Sequence, residues 1–205
     1  MNERDTKLVQ WLNEAHAKEA ELEADLAAHI KLTKKAPYKK RLQQHLKETK
    51  DHKRQVARRV KQLDGKPAAV KAPVPNLVGE PAGKAVAGVK GQIGAARALV
   101  TSQPETHLRN AQEELREEHV EIALYTRLEA LAEEVGDSDT AKLARGIRRD
   151  EERMAKFLDA ELPRLVKELV KDEIPRDQRA QRRGPRRRPR GTSSSTPSRT
   201  RTRRR

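Results

Sequence analysis

Carboxylates sit in this chain where a helical sequence calls for core residues. Along the stretch 108–132, Leu108, Ala111, Leu115, Ile122, Tyr125, Leu128 and Ala132 recur at helical spacing and mark one face of a helix. Glu118 fills the step between Leu115 and Ile122, and Glu121 follows at i+3. An unpaired buried carboxylate is costly, so such a group usually has a partner, a shifted pKa or a metal. The same substitution recurs elsewhere. Glu19 interrupts the seam Leu8, Leu12, Ala15, Leu22, Leu26, and Glu151 interrupts Ala144, Ile147, Met154, Leu158. A fourth seam reads Tyr38, Leu42, His45, Thr49, His52, Val56, Val60, Leu63. Glu48 lies beside it, at i+3 from His45 and i−4 from His52, so the three can face one point.

Glu19, Glu48, His52, Glu118, Glu121 and Glu151 are therefore the candidate ligands. Carboxylates and an imidazole converging in a helical core suit iron or manganese, whose charge offsets carboxylate repulsion. A structural network of ion pairs would leave the same signature. Tyr125 is read as a core residue whose hydroxyl a carboxylate satisfies, and His29 and His45 as satisfied or exposed histidines rather than ligands. The spacing does not decide between an enzyme and a binding protein.

Four helices must position these groups. The periodicity predicts helices over roughly Arg4–Leu32, Pro37–Leu63, Pro104–Val135 and Ser138–Glu161. Pro37 suits a first turn, Gly136 a C-cap, and Asp137 or Ser138 the following N-cap. Pro163 is expected to kink or break the last helix, leaving a short appended one. Two tight hairpins joined by a connection over about 64–103 predict an all-α four-helix bundle with one long crossover between helices two and three. Within that crossover, Val86, Val89, Ile93, Ala96 and Val100 keep helical spacing, weakened by Gly88, Gly91 and Gly94, so a short helix over the bundle is expected.

The core must be lean, since hydrophobic content is 34% against 38% charged. Only Trp11, Tyr38, Tyr125 and Phe157 are aromatic, too few for base-stacking nucleic-acid modules. The absence of cysteine excludes disulfides and thiolate metal sites. No run reaches the length of a membrane span and the N-terminus lacks an apolar signal region, so the cytoplasm is the expected compartment.

The net charge of +15 is unevenly spread. Residues 175–205 hold 13 Arg and one Asp, whereas residues 1–174 are nearly balanced, with 33 Lys and Arg against 30 Asp and Glu. The bundle is thus expected over 1–174 and a disordered Arg-rich tail over 175–205. Arg182, Arg183, Arg186, Arg187, Arg188, Arg190, Arg203, Arg204 and Arg205 can neutralise phosphates but have no register from which to read bases, so any DNA or RNA binding through them would be non-specific. The basic outer face of the second helix is read as a solvated surface. A homodimer is expected, to cover Trp11, Ile30 and the Gly/Ala-rich segment 86–100.

Three runs resemble the YciF-type ferritin-like stress proteins: HLKETKDHKRQV at 45–56, EEHVEIALYTRLEALAEEVGD at 117–137 and AKLARGIRRDEERMAKFLDAEL at 141–162. Glu118, His119, Glu121, Ile122, Ala123, Tyr125 and Leu128 match that family's EHxEIAxYxxL stretch in register. The resemblance covers roughly residues 7–162. It implies a ferritin-like bundle, often a homodimer, with a dinuclear metal site and a link to stress responses. The chain also departs from ferritin-like di-iron sites, which take Glu-x-x-His from two helices. Here the second helix offers Glu48-x-x-x-His52, and the fourth has Met154 where His would stand. The alternative function is nucleic-acid binding through the tail, with the bundle as a dimerisation scaffold.

Overall fold

The computed structural model describes residues 1–68 and 102–179. These form four long helices: α1 (Glu3–Leu32), α2 (Ala36–Gln62), α3 (Gln103–Glu134) and α4 (Ser138–Glu173), followed by a short 3₁₀ turn, Arg176–Gln178. The helix expected over 86–100 and the tail arginines Arg182 to Arg205 lie outside the described residues. Among the described residues no helix is long and apolar enough to cross a membrane.

Each boundary has a local cause. Asn2, Ser102 and Asp137 accept hydrogen bonds from backbone N–H groups three residues on, capping α1, α3 and α4. Helix α2 has no side-chain cap and starts on Pro37 within its first turn. Gly136 ends α3 at φ 71°, with its N–H bonded to the Glu133 carbonyl and that of Asp137 to the Ala132 carbonyl. Asp64 takes the same left-handed role after α2 at φ 56°.

Tyr38 and His107, near the starts of α2 and α3, approach edge to face with ring centroids 6.3 Å apart. At the other end of α2, Arg59 bonds Asp137 and Thr140, between α3 and α4. Helices α2 and α3 therefore run parallel, and α4 returns beside them. Residue 68 sits against Asn13 while Ser102 bonds Glu173, so the connection 69–101 joins opposite ends of the bundle. This topology is the long crossover that the sequence predicts.

The apolar interior is divided. One cluster joins Leu8, Leu12, Val56, Val60, Leu128, Ala132, Ala144 and Ile147; the other joins Leu22, Leu26, Tyr38, Leu42, Met154, Leu158 and Leu165. The interrupted seams lie between them. Each cluster clamps one end of the bundle, so the polar belt between them is held in place without itself supplying apolar burial.

Pro163 does not break α4, which runs unbroken to Glu173, correcting the expectation of a separate terminal helix. Proline removes one helical hydrogen bond, but tertiary contacts hold both sides of it. Leu165 is fully buried in the second cluster, and Lys35 Nζ binds both Glu161 (2.6 Å) and Glu168 (2.8 Å), spanning the proline.

Candidate metal centre

Glu19 from α1, His45 and His52 from α2, Glu118 and Glu121 from α3 and Glu151 from α4 are all buried in the belt between the two clusters. Their helices present them on the core seam because the period that buries Leu12 and Leu26 also buries Glu19 between them. Two groups of donors form. Glu19, His52 and Glu151 make one; His45, Glu118 and Glu151 make the other; in each, one donor atom per residue lies within 4.8 Å of the others. Glu151 belongs to both, so the groups meet at that residue. Glu121 completes the belt, close enough to Glu118, Glu19 and Glu151 for their charges to act on it.

Outer groups fix the rings. His45 Nε2 meets Glu118 Oε1 at 2.8 Å, while its Nδ1 meets Glu48 Oε2 at 3.2 Å. His52 Nε2 meets Asp150 Oδ2 at 3.1 Å, leaving Nδ1 turned to Glu151 (2.8 Å) and Glu19 (3.5 Å). The Tyr125 hydroxyl donates to Glu19 Oε1. Carboxylates behind imidazoles, aiming the inner nitrogen, are a recurrent arrangement in metal sites.

Glu48 stands outside both groups. It is partly exposed, bonded to Arg41, Gln44 and the outer nitrogen of His45, and these contacts hold it down to about 2. Its i+3 and i−4 spacing put it on the right side of α2 but off the seam. His45, read from sequence as a satisfied or exposed histidine rather than a ligand, is a member of the second group, and the contact of Asp150 behind His52 is one that the spacing does not reveal. The signal for His45 is its position two turns before His52 on the same seam. His29 is satisfied by Glu114 at 2.8 Å, as expected.

The electrostatics are strained in a way a cation would relieve. Burial pushes Glu118 up to about 8, with the Glu151 charge adding to the effect and His45 opposing it. Burial, then the charges of Glu19, Glu151 and Glu118, raise Glu121 well above the usual carboxylate range. Burial also raises Glu19. Burial opposes protonation of the histidines, but their carboxylate partners overcome it, lifting His45 to about 10 and His52 to about 11. The belt thus limits its negative charge by keeping protons. Several inward atoms still have no hydrogen-bond partner: Glu19 Oε2, His52 Nδ1, Glu118 Oε2 and both oxygens of Glu121 and Glu151. Buried polar atoms are seldom left so, and these converge on one belt. Four carboxylates match the charge of two divalent cations, and the mixed oxygen and imidazole donors fit iron or manganese.

Residues 3–171 match the family model described as "Domain of unknown function (DUF892)". No curated protein matches the chain significantly. Among solved structures, a Xanthomonas campestris protein is 23% identical with TM-score 0.63, covering 83% of this chain and 99% of its own. The Escherichia coli stress protein YciF is 19% identical with TM-score 0.59, covering 82% and 99%. A Desulfovibrio desulfuricans bacterioferritin described with a diiron site is 18% identical with TM-score 0.58, covering 84% and 86%. The fold is therefore that of a ferritin-like four-helix bundle.

Proposed function

The chain belongs to the DUF892 family, and we propose that it is a ferritin-like, stress-related protein holding two iron or manganese ions in the bundle core. The observation that carries this reading is the set of buried carboxylate oxygens of Glu118, Glu121 and Glu151 that make no hydrogen bond among the described residues. Glu19, His52 and Glu151 would hold one ion; His45, Glu118 and Glu151 would hold the other, with Glu121 supplying a further carboxylate. A bound pair of such ions would supply one-electron chemistry toward oxygen or peroxide.

The chain's own groups have defined tasks around it. Asp150 and Glu48 orient the two imidazoles and hold protons on their outer nitrogens. Tyr125 holds Glu19 through its hydroxyl, fixing which oxygen turns inward. The apolar clusters above and below exclude water, so charge inside the belt is weakly screened. The description of YciF as a stress protein supports the stress association. The protein is also proposed to be a homodimer, which light scattering at micromolar concentration checks.

Metal content of purified protein tests the reading. Wild type should retain iron or manganese, and the double variant Glu118→Ala, His52→Ala should retain neither while keeping its helicity. Equal metal content in both would refute it.

A further inference from the structure

Helix α2 is electrically unlike the other three. It carries ten Lys and Arg against only Glu48 and Asp51. Helix α3 carries nine Glu against three Arg, and α4 balances. Six exposed cations, Lys40, Lys47, Lys50, Arg54, Arg58 and Lys61, fall on one outward stripe, four of them at a strict seven-residue step. At a helical rise of 1.5 Å the stripe is about 30 Å long. Many arginines elsewhere on the bundle are paired with carboxylates, and the lysines of α4 that are unpaired among the described residues share their helix with nine acids. In contrast, Lys40, Lys47, Arg58 and Lys61 bond no described side chain, and the one exposed acid on this helix, Asp51, is held by Arg54 and Gln55.

We propose that this face of α2 is a docking surface for the phosphate backbone of a nucleic-acid duplex. Protein interfaces need an apolar or aromatic centre and are depleted in lysine. The large exposed apolar residues among those described, Met1, Val120, Val166 and Ile174, all lie off α2. That composition disfavours a protein partner. A single strand would need aromatic platforms for its bases, and the stripe has none. What remains matched is the phosphate backbone of a duplex. The stripe length is close to one helical turn of duplex, about 34 Å, so its cations can meet backbone on both sides of a groove. Recognition would be independent of sequence.

The test uses the full chain and a fluorescent 25-base-pair duplex of arbitrary sequence, titrated across salt. The variant Lys40→Gln, Lys47→Gln, Arg58→Gln, Lys61→Gln should weaken binding at least tenfold at low salt and flatten the log–log salt slope by roughly 2–4, about 0.9 for each phosphate no longer neutralised. An equal removal of charge on α4, Lys142→Gln, Lys156→Gln, Lys167→Gln, Lys171→Gln, should leave the slope near wild type, because carboxylates share that helix's surface. The charge-keeping variant Lys40→Arg, Lys47→Arg, Arg58→Lys, Lys61→Arg should bind as wild type. The proposal is overturned if wild type does not bind the duplex. It also falls if the α2 variant keeps the wild-type slope, leaving the tail as sole contact, or if both quadruple variants lose equally. Tighter binding to anionic phosphatidylglycerol vesicles than to duplex would overturn it as well.

Discussion

His52 Nδ1 stands 2.8 Å from Glu151 Oε1 and 3.5 Å from Glu19 Oε1, within ion-pair distance of both. One imidazole cannot satisfy two buried carboxylates. Glu19 Oε2 and Glu151 Oε2 are left without a hydrogen bond among the described residues. That surplus of buried acceptors is the local reason for reading the belt as a metal centre rather than as a completed ion pair.

An empty belt should oppose folding. Glu121 is buried with both oxygens unpartnered, so Glu121→Met removes a desolvation cost and adds apolar packing. The metal-free variant should be more stable than metal-free wild type by about 1–3 kcal/mol. Urea unfolding in chelator reads this directly. A less stable variant would mean that Glu121 has a stabilising partner.

The stability of metal-free protein should fall as pH rises. Burial raises Glu118 from 4.5 to about 8, so between those values the folded state binds more protons than the unfolded state. Its favourable contribution is complete below 4.5 and is lost as pH rises through about 8. His45 and His52, raised to about 10 and 11, add a loss in the same direction above 6.5. Glu48, held near 2, works the other way below 4.5. Melting temperature in chelator should therefore peak near pH 5. Metal must displace the retained protons, so its affinity should instead increase from pH 6 to 8. A flat profile for both quantities would contradict the assignment.

Asp150→Asn should weaken metal binding without removing a ligand. Asp150 orients His52 from behind, and loss of such a support typically costs 10–100-fold in affinity. Competition with a chelator of known affinity measures it. Unchanged affinity would place His52 outside the coordination sphere.

Replacing Pro163 should stabilise the protein. Helix α4 is continuous through it and Leu165 beyond it is buried, so Pro163→Ala restores a helical hydrogen bond without moving the packing. The gain should approach about 1–3 kcal/mol, seen in thermal unfolding. A destabilised variant would show that the bundle uses the distortion.

Glu19, Glu118 and Glu151 can be found in the sequence because a helical seam has a period, and a carboxylate on that period has nowhere else to go. The four helices and the long crossover follow from the same regularity. Glu48 and His45 exchange places as candidates although the period already sets His45 on the seam and Glu48 beside it. What the period cannot supply is the partners: Glu118 across the bundle meets the inner nitrogen of His45, while Arg41 and Gln44 hold Glu48 outside. Pro163 misleads because propensity is local, whereas Lys35 and Leu165 act from the tertiary structure. Asp150 lies one residue before Glu151, off the seam, and its role depends on the rotation of α4 against α2.

The decisive experiment on the metal centre is anaerobic titration of the chelator-stripped chain with ferrous iron at pH 7.5, following bound metal and released protons together. Two sites per chain are expected, each binding event releasing protons from the belt, with both sites abolished in the Glu118→Ala, His52→Ala variant. Binding that is absent, or that persists unchanged in that variant, would overturn the assignment of the belt as a dinuclear centre.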